Sequence, residues 1–75
     1  MILYTKVNEY CPQCAIAKVA LKERGIEFEE RALDTDEWAK ERELYKDLGF
    51  RAAPLLIRGE EVIMTGYDPR VIETL

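Results

Sequence analysis

Hydrophobic and polar positions alternate along this chain with different periods, and the changes of period outline its elements. Residues 2–7 are rich in β-branched and aromatic side chains and predict a strand. Residues 12–24 carry apolar side chains at helical spacing, and Pro12 suits a first helical turn. Gly25 follows where a C-terminal cap belongs. The apolar stripe of this helix consists of Ala15, Ile16, Val19 and Ala20.

The middle of the chain predicts a second strand and a second helix. Residues 26–33 alternate roughly between apolar and charged, which is typical of a short strand with one face in water. Asp34 or Thr35 can cap a helix over residues 36–48, which ends at Gly49. The apolar stripe of this helix is predicted to face the core and consists of Trp38, Leu44, Tyr45 and Leu48.

The last third of the chain predicts a hairpin and a short helix. Residues 55–57 and 61–65 are β-rich runs on either side of a glycine turn, which indicates two antiparallel strands. Asp68 followed by Pro69 is typical of a helix start and predicts a helix over residues 69–75. The side chains that this helix buries are expected to be Val71, Ile72 and Leu75.

The predicted order is β-α-β-α-β-β-α, which indicates an α/β fold with a four-stranded mixed sheet flanked by three helices. The first two strands enclose a helix, so they are expected to be parallel with a right-handed crossover. The hairpin then adds two antiparallel strands. A chain of 75 residues has room for one hydrophobic core, and we expect a single domain over residues 1–75.

Charge and composition exclude several classes of function. The chain carries a net charge of −4 without a basic stripe, so binding to nucleic acid or to an anionic membrane is not expected. Its apolar runs are too short for a membrane span or a secretory signal. The absence of histidine removes Cys–His and Ser–His nucleophilic sites and the usual zinc sets. We therefore expect a cytoplasmic protein, mature from Met1 and monomeric.

The only cysteines, Cys11 and Cys14, carry the candidate chemistry. They lie where a strand leads into a helix, and side chains at i and i+3 of a first helical turn are close enough for a disulfide. The N–H groups at a helix start lower the pKa of a thiol from about 8.5 to about 3.5–7.5. We expect Cys11, at the exposed edge, to attack a substrate disulfide, and Cys14 to resolve the mixed disulfide. No metal and no cofactor other than this redox-active disulfide are expected.

Three other interpretations of the cysteine pair stay open. A structural disulfide that closes so short a loop would add only about 2 kcal/mol, and it would be unusual in the cytosol. Half of a zinc or iron–sulfur site, completed by a second chain, would make the protein a metal-bridged interaction module. The two thiols could also be unrelated and buried. The strand-to-helix context favours redox exchange over all three.

A second constellation centres on Pro54, at the head of a predicted strand where proline is tolerated. Other segments accompany it over nearly the whole chain, namely Tyr4-Thr5-Lys6, Cys11 to Cys14, Gly25-Ile26, Leu48-Gly49-Phe50-Arg51 and Gly66-Tyr67-Asp68-Pro69-Arg70. The combination of Pro54 and the cysteine pair resembles the pattern of the thioredoxin superfamily, in which a cis-proline faces the active-site cysteines. The whole set more closely resembles the NrdH-type redoxins, which are glutaredoxin-like hydrogen donors for ribonucleotide reductase.

The resemblance implies a thioredoxin-like fold and a cis peptide between Ala53 and Pro54, whose backbone would pair with an incoming peptide. It implies thioredoxin reductase as the electron donor and ribonucleotide reductase as the acceptor. Tyr10 is either an apolar lip for that peptide or a half-buried aromatic that closes its loop. Arg51 is interpreted as a solvated cation rather than as a charge that steers an anionic tail. The candidate substrate-binding residues are Tyr10, Pro12, Gln13, Ala53, Pro54, Gly66 and Asp68.

The chain departs from the NrdH-type pattern in two places. Its tail segment, residues 64–70, lacks the tryptophan of that family and carries the acid and the base in exchanged order. The connection from Lys6 to Cys11 is about two residues longer than usual, which would reshape the rim beside the nucleophile. The surfaces that face the reductase and the substrate therefore follow less directly from the resemblance than the chemistry does.

A glutathione-dependent glutaredoxin is the alternative function. Lys6, Pro54, Gly66 and Asp68 fill parts of the pattern of that family. Asp68 would then meet the glutathione ammonium group, although capping of the last helix is its favoured role. Gln13 replaces the usual aromatic residue, and Ala52-Ala53 replace Thr-Val, so glutathione binding is expected to be weakened.

Overall fold

The computed structural model describes residues 1–75 and has the element order that the sequence predicts. The strands are β1 (Ile2–Thr5), β2 (Glu29–Ala32), β3 (Leu55–Arg58) and β4 (Glu61–Thr65). The helices are α1 (Pro12–Glu23), α2 (Ala39–Asp47) and α3 (Pro69–Glu73), and a short 3₁₀ helix (Asp36–Trp38) precedes α2. The predicted order β-α-β-α-β-β-α is confirmed.

The strands form one mixed sheet in the order β2-β1-β3-β4. β1 pairs in parallel with β2, where Leu3 lies opposite Glu30, and antiparallel with β3, where Leu3 lies opposite Leu56. β3 and β4 form the predicted antiparallel hairpin, with a register shift between Leu56 and Ile57. The central position of β1 matters for function, because the chain runs from its carboxyl end to the cysteine pair.

Two apolar clusters hold the helices against the sheet, one on each face, because successive strand residues point to opposite sides. The cluster between the sheet and helices α1 and α3 contains Leu3, Ala17, Leu21, Leu56, Met64 and Ile72. The cluster on the other face contains Tyr4, Leu55 and Ile57, with Tyr45 of α2 packed against it. The first cluster fixes α1 on the sheet and so fixes the position of the cysteine pair at its start.

Two strands are shorter than the pattern predicts. β1 ends at Thr5 rather than at residue 7, because the N–H of Val7 donates to the Asp34 carboxylate and not to a strand. β2 begins at Glu29 rather than at residue 26, although the apolar residues before it still pack against the first cluster. The three helices end one or two residues before their predicted ends, and α2 begins three residues after its predicted start because residues 36–38 form the 3₁₀ helix.

Of the predicted apolar stripe only Ala20 packs against the first cluster, so the prediction is largely wrong for α1. Its buried residues are Cys14, Ala17 and Leu21, whereas Ile16 and Val19 are 49% and 56% exposed. Positions 14, 17 and 21 also share one helix face, and Ala17 and Leu21 on this face belong to the first cluster. The sequence offered two apolar faces on one helix, and only contact with the sheet distinguishes them.

The apolar stripe predicted for the second helix is only half right. Tyr45 packs against the second cluster, and the centre of the Trp38 ring lies 4.4 Å from Cζ of the Arg31 guanidinium. Leu44 and Leu48, in contrast, are more than half exposed. The first turn is a 3₁₀ helix, which has fewer residues per turn than an α-helix, so the stripe expected of one continuous helix is broken there.

Candidate functional site

A disulfide joins Cys11 to Cys14 at the first turn of α1, with 5.3 Å between their Cα atoms. Cys11 is the N-cap residue of the helix and is partly exposed. Cys14 lies one turn further in, and only 3% of it is exposed. The two sulfurs therefore differ in access, and a substrate that approaches from solvent meets Cys11 first.

At the start of α1, one helix N–H group is bonded to the Cys11 sulfur. The N–H of Cys14 donates to Cys11 Sγ at 3.3 Å and to the Cys11 carbonyl at 3.2 Å. Pro12 occupies the first helical position, where a missing N–H costs nothing, and no acidic residue lies in the first turn. This environment favours negative charge at Cys11 when the disulfide is reduced.

Cys11 opens into a shallow cleft of about 280 Å³. The cleft is lined by Lys6, Glu9, Tyr10, Cys11, Pro12, Gln13, Ala52 and Ala53. The structure thus brings together four of the predicted substrate-binding residues around the sulfur. Tyr10 is 93% exposed at the cleft edge, so the alternative that it is a half-buried residue closing the loop is wrong.

The peptide bond between Ala53 and Pro54 is cis, as the resemblance implied. Pro54 is fully buried and leads into β3, which anchors it to the sheet. Its carbonyl accepts the N–H of Gly66 at 2.8 Å, which joins the segment to the end of β4. Ala53, the residue before this anchored proline, forms part of one wall of the cleft.

Gln13 connects the cysteine turn to the segment after β4. Its Oε1 accepts the N–H of Tyr67 at 3.0 Å. Gly66 has a φ of 73°, a backbone conformation that favours glycine, and a Cβ at this position would lie 3.6 Å from Gln13 Oε1. Gly66 thus lies next to the Gln13 side chain, although it does not line the cleft itself.

Asp68 is an internal helix cap, the role favoured from the sequence. Its carboxylate accepts the N–H of Arg70 at 3.0 Å and the Nε of the same residue at 3.3 Å. These bonds from Arg70 hold the pKa of the Asp68 carboxyl below its usual value. The N–H of Asp68 donates to Met64 Sδ at 3.4 Å. The polar groups of this turn are therefore already engaged within the protein.

Asp34 is a residue whose role the sequence did not reveal. Its carboxylate accepts the N–H groups of Val7, Asn8 and Glu9 at 2.9, 2.8 and 3.1 Å, respectively. Of the two predicted cap residues of the second helix, Asp34 and Thr35, the cap position is taken by Thr35, which makes no side-chain cap bond. Asp34 instead organises the loop that leads to Cys11. No local pattern indicates this, because the partners lie 25 to 27 residues away.

No group of three or more histidine, cysteine, aspartate or glutamate residues is arranged to hold a metal ion. No helix has the length and apolar character needed to cross a membrane.

The thioredoxin-like fold has a Cys-x-x-Cys disulfide at the start of its first helix and a cis-proline directly after the cleft residue Ala53, and these features define a class of thiol–disulfide exchange proteins. The chain belongs to the glutaredoxin family, because the sequence profile of that family, Glutaredoxin, matches residues 1–63. It is a glutaredoxin-like dithiol redoxin.

Within this family the chain is similar to proteins named glutaredoxin-like protein NrdH. Those of Escherichia coli strain K12 and Shigella flexneri are each 32% identical over 73 residues, which is 97% of this chain and 84% of theirs. A solved structure of the NrdH-redoxin from Escherichia coli superposes with a TM-score of 0.82 at 31% identity, covering 99% of this chain and 91% of that one. The study of that structure concerns the basis of a thioredoxin-like activity profile.

Proposed function

We propose that this protein is a dithiol electron donor that reduces protein disulfides with Cys11 as the nucleophile and Cys14 as the resolving thiol. The observation that carries the proposal is the unequal access of the two sulfurs: Cys11 lines the open cleft, whereas Cys14 is 3% exposed beneath it. In this proposal Cys11, Cys14 and the cleft act within one domain, residues 1–75, which works as a monomer in the cytoplasm.

The reaction balances as two successive thiol–disulfide exchanges. The Cys11 thiolate attacks one sulfur of the substrate disulfide, which forms a mixed disulfide and releases the other sulfur as a thiolate that takes up a proton. Cys14 then loses its proton and attacks the Cys11 sulfur, which releases the second substrate sulfur and closes the Cys11–Cys14 disulfide. Two electrons pass from the protein to the substrate.

The residues around Cys11 would hold the substrate segment during this exchange. Ala53, before the buried Pro54, offers backbone to an extended peptide, and Tyr10 offers an exposed ring at the cleft edge. Pro12 and Gln13 form the adjoining rim. Gly66 and Asp68 support this rim through the turn to which Gln13 is bonded.

Ribonucleotide reductase is the proposed electron acceptor, and thioredoxin reductase the proposed donor. Similarity to NrdH proteins over nearly the whole chain supports both assignments. The engaged polar groups of the turn after β4 support them as well. Asp68 is paired with Arg70, and Gln13 takes the Tyr67 N–H, so a glutathione molecule would have to displace internal bonds to bind there.

A glutathione-dependent activity is the second candidate, because Lys6 lines the cleft and Asp68 lies at the start of α3, as the glutaredoxin pattern requires.

A metal-bridged dimer is less favoured. It would need both sulfurs at the surface to meet a shared ion, and Cys14 is almost completely buried.

Consumption of NADPH with a protein disulfide substrate separates the two candidates. We expect turnover with thioredoxin reductase and little turnover with glutathione plus glutathione reductase. The matched control is Cys11→Ser, which should abolish turnover with either donor system while the fold is retained. Turnover only with glutathione plus glutathione reductase would contradict the proposed donor and assign a glutaredoxin activity. Full activity of Cys11→Ser would overturn the assigned nucleophile.

A further inference from the structure

Residues 7–10, which we call the rim loop, connect the end of β1 to Cys11 and form part of the edge of the cleft. Glu9 and Tyr10 line the cleft together with Cys11. All four residues of the rim loop are exposed, and Tyr10 is the most exposed of them. The rim loop belongs to neither apolar cluster. Burial therefore does not hold this part of the cleft edge in place.

Hydrogen bonds to one residue hold the rim loop instead. No backbone–backbone bond involves the rim loop, and its only other polar contact is the pair of Lys6 and Glu9 at 3.1 Å. The Asp34 carboxylate accepts the N–H groups of Val7, Asn8 and Glu9 at 2.9, 2.8 and 3.1 Å. The Asn8 side chain also donates to the Asp34 carbonyl at 2.9 Å. Asp34 is therefore the anchor of the rim loop.

The two neighbours of Asp34 are themselves bonded to the sheet and to α2. The N–H of Leu33 donates to the Thr5 carbonyl at 2.8 Å, at the end of β1. The Arg42 guanidinium, from α2, donates to the carbonyl of Leu33 at 3.2 Å and to that of Thr35 at 3.5 Å. The anchor of the rim loop is thus tied to the regular elements of the fold.

The sulfur of Cys11 has a separate support. The N–H of Cys14, in α1, donates to this sulfur at 3.3 Å, and Asp34 does not line the cleft. Stabilisation of the Cys11 thiolate therefore comes from the helix start and not from the rim loop. The placement of Tyr10 depends on the rim loop, because its ring is 93% exposed and only the backbone fixes its position. The two parts of the site can be perturbed separately.

We propose that Asp34 is a positioning residue of the exchange reaction, which holds the rim loop so that Tyr10 contacts the polypeptide that carries the substrate disulfide. Asp34 does not touch the substrate and acts only through the rim loop. An anchored loop loses less freedom on binding, so its contacts contribute more to affinity and to placement of the disulfide. This inference rests on the proposed reduction of protein disulfides and adds the residue by which large disulfide substrates are favoured over small ones.

The test compares a large and a small disulfide, insulin and dipyridyl disulfide, in single-turnover reactions. The protein is reduced beforehand and freed of reductant, so each reaction closes the Cys11–Cys14 disulfide and converts the substrate disulfide to two thiols. We expect Asp34→Asn to lower the rate constant with insulin by about 3- to 10-fold, and that with dipyridyl disulfide by less than about 2-fold. Tyr10→Ala should show the same selective loss.

The double variant Asp34→Asn, Tyr10→Ala tests whether the two residues act as one unit. If Asp34 acts by placing the Tyr10 ring, removal of the ring should cost little once the anchor is lost. The loss of the double variant with insulin should then be close to that of either single variant. Losses that multiply would show that the two residues act independently and would overturn the proposal.

Two controls separate positioning from charge and from stability. Asp47→Asn makes the same change in net charge at the exposed end of α2. Ile72→Val weakens the first cluster, which the rim loop does not join. Both should leave the ratio of the insulin and dipyridyl disulfide rate constants unchanged. A fall of this ratio in either control as large as that in Asp34→Asn would overturn the proposal.

The dependence of the dipyridyl disulfide reaction on pH excludes a direct effect of charge on the sulfur. Its midpoint reports the pKa of the Cys11 thiol and should be the same in Asp34→Asn as in the parent. A shifted midpoint with equal losses for both substrates would mean that Asp34 acts electrostatically on Cys11, and the proposal would be wrong. An unchanged ratio in Asp34→Asn, with a parent that reduces insulin, overturns the positioning role alone. A parent that reduces dipyridyl disulfide but not insulin overturns the proposed function, and the positioning role with it.

Discussion

Two cysteines of one short motif acquire different roles through their surroundings. Cys11 caps α1 and lines a cleft, while only 3% of Cys14 is exposed. The difference follows from the helix itself, because residue i of the first turn stands at the open end and residue i+3 already faces the packed side. The order of attack in the proposed exchange is therefore set by backbone geometry before any neighbouring side chain contributes.

Asp34 positions the loop before Cys11, and its substitution should weaken the fold. In Asp34→Asn the amide nitrogen replaces either the oxygen that accepts the N–H of Val7 or the one that accepts the N–H groups of Asn8 and Glu9, so donor faces donor on that side. We expect the free energy of unfolding to fall by about 1–3 kcal/mol, as for the loss of charged hydrogen bonds. Urea denaturation measures this, with Asp47→Asn as the control because Asp47 is exposed at the end of α2. Equal effects of the two variants would contradict the assigned role.

The loss of stability in Asp34→Asn should depend on pH. Burial raises the pKa of Asp34, but the N–H donors of Val7, Asn8 and Glu9 outweigh it and hold the pKa below its usual value. A depressed pKa in the folded state means that the ionised form stabilises the protein. The difference between the parent and Asp34→Asn should be constant above the unfolded pKa of about 3.9 and vanish as the pH falls through the lower folded value.

Helix α1 presents two apolar faces, and only one of them is bound to the sheet. We predict that Leu21→Ala lowers the free energy of unfolding by about 2–5 kcal/mol, because Leu21 is fully buried and its removal leaves a cavity. Val19→Ala, on the exposed face of the same helix, should change it by less than about 0.5 kcal/mol. Thermal or urea unfolding of the two variants measures both values. A larger loss in Val19→Ala would place the other face of α1 in the core.

The order of the elements could be predicted from the sequence because it depends on local signals. Strand runs, the proline after Cys11 and the helix start at Asp68 each act over a few residues, and the structure confirms them. The buried faces of α1 and α2 could not be predicted, because they depend on which apolar stripe of each helix packs against the sheet. Local periodicity gives the presence of a helix, whereas packing gives its rotation.

At the scale of the whole molecule, the candidate site is assembled by contacts between distant segments. The bond from Tyr67 to Gln13 and those from the loop before Cys11 to Asp34 join residues that the sequence separates widely. The chemistry of Cys11 and Cys14 was therefore predictable, while the surface that selects a substrate was not.

A redox carrier has to stay folded both with and without its disulfide, and the architecture predicts that this protein does. The disulfide spans a sequence separation of only 3, and both apolar clusters form around residues other than Cys11 and Cys14. Closing so short a loop contributes at most about 2 kcal/mol, so the reduced protein should keep its structure and unfold at a modestly lower temperature. Thermal unfolding followed by circular dichroism, with and without dithiothreitol, measures the difference. The double variant Cys11→Ser, Cys14→Ser should match the reduced parent in both conditions. Loss of helical signal on reduction would instead assign the disulfide a structural role and would remove the basis for the proposed electron transfer.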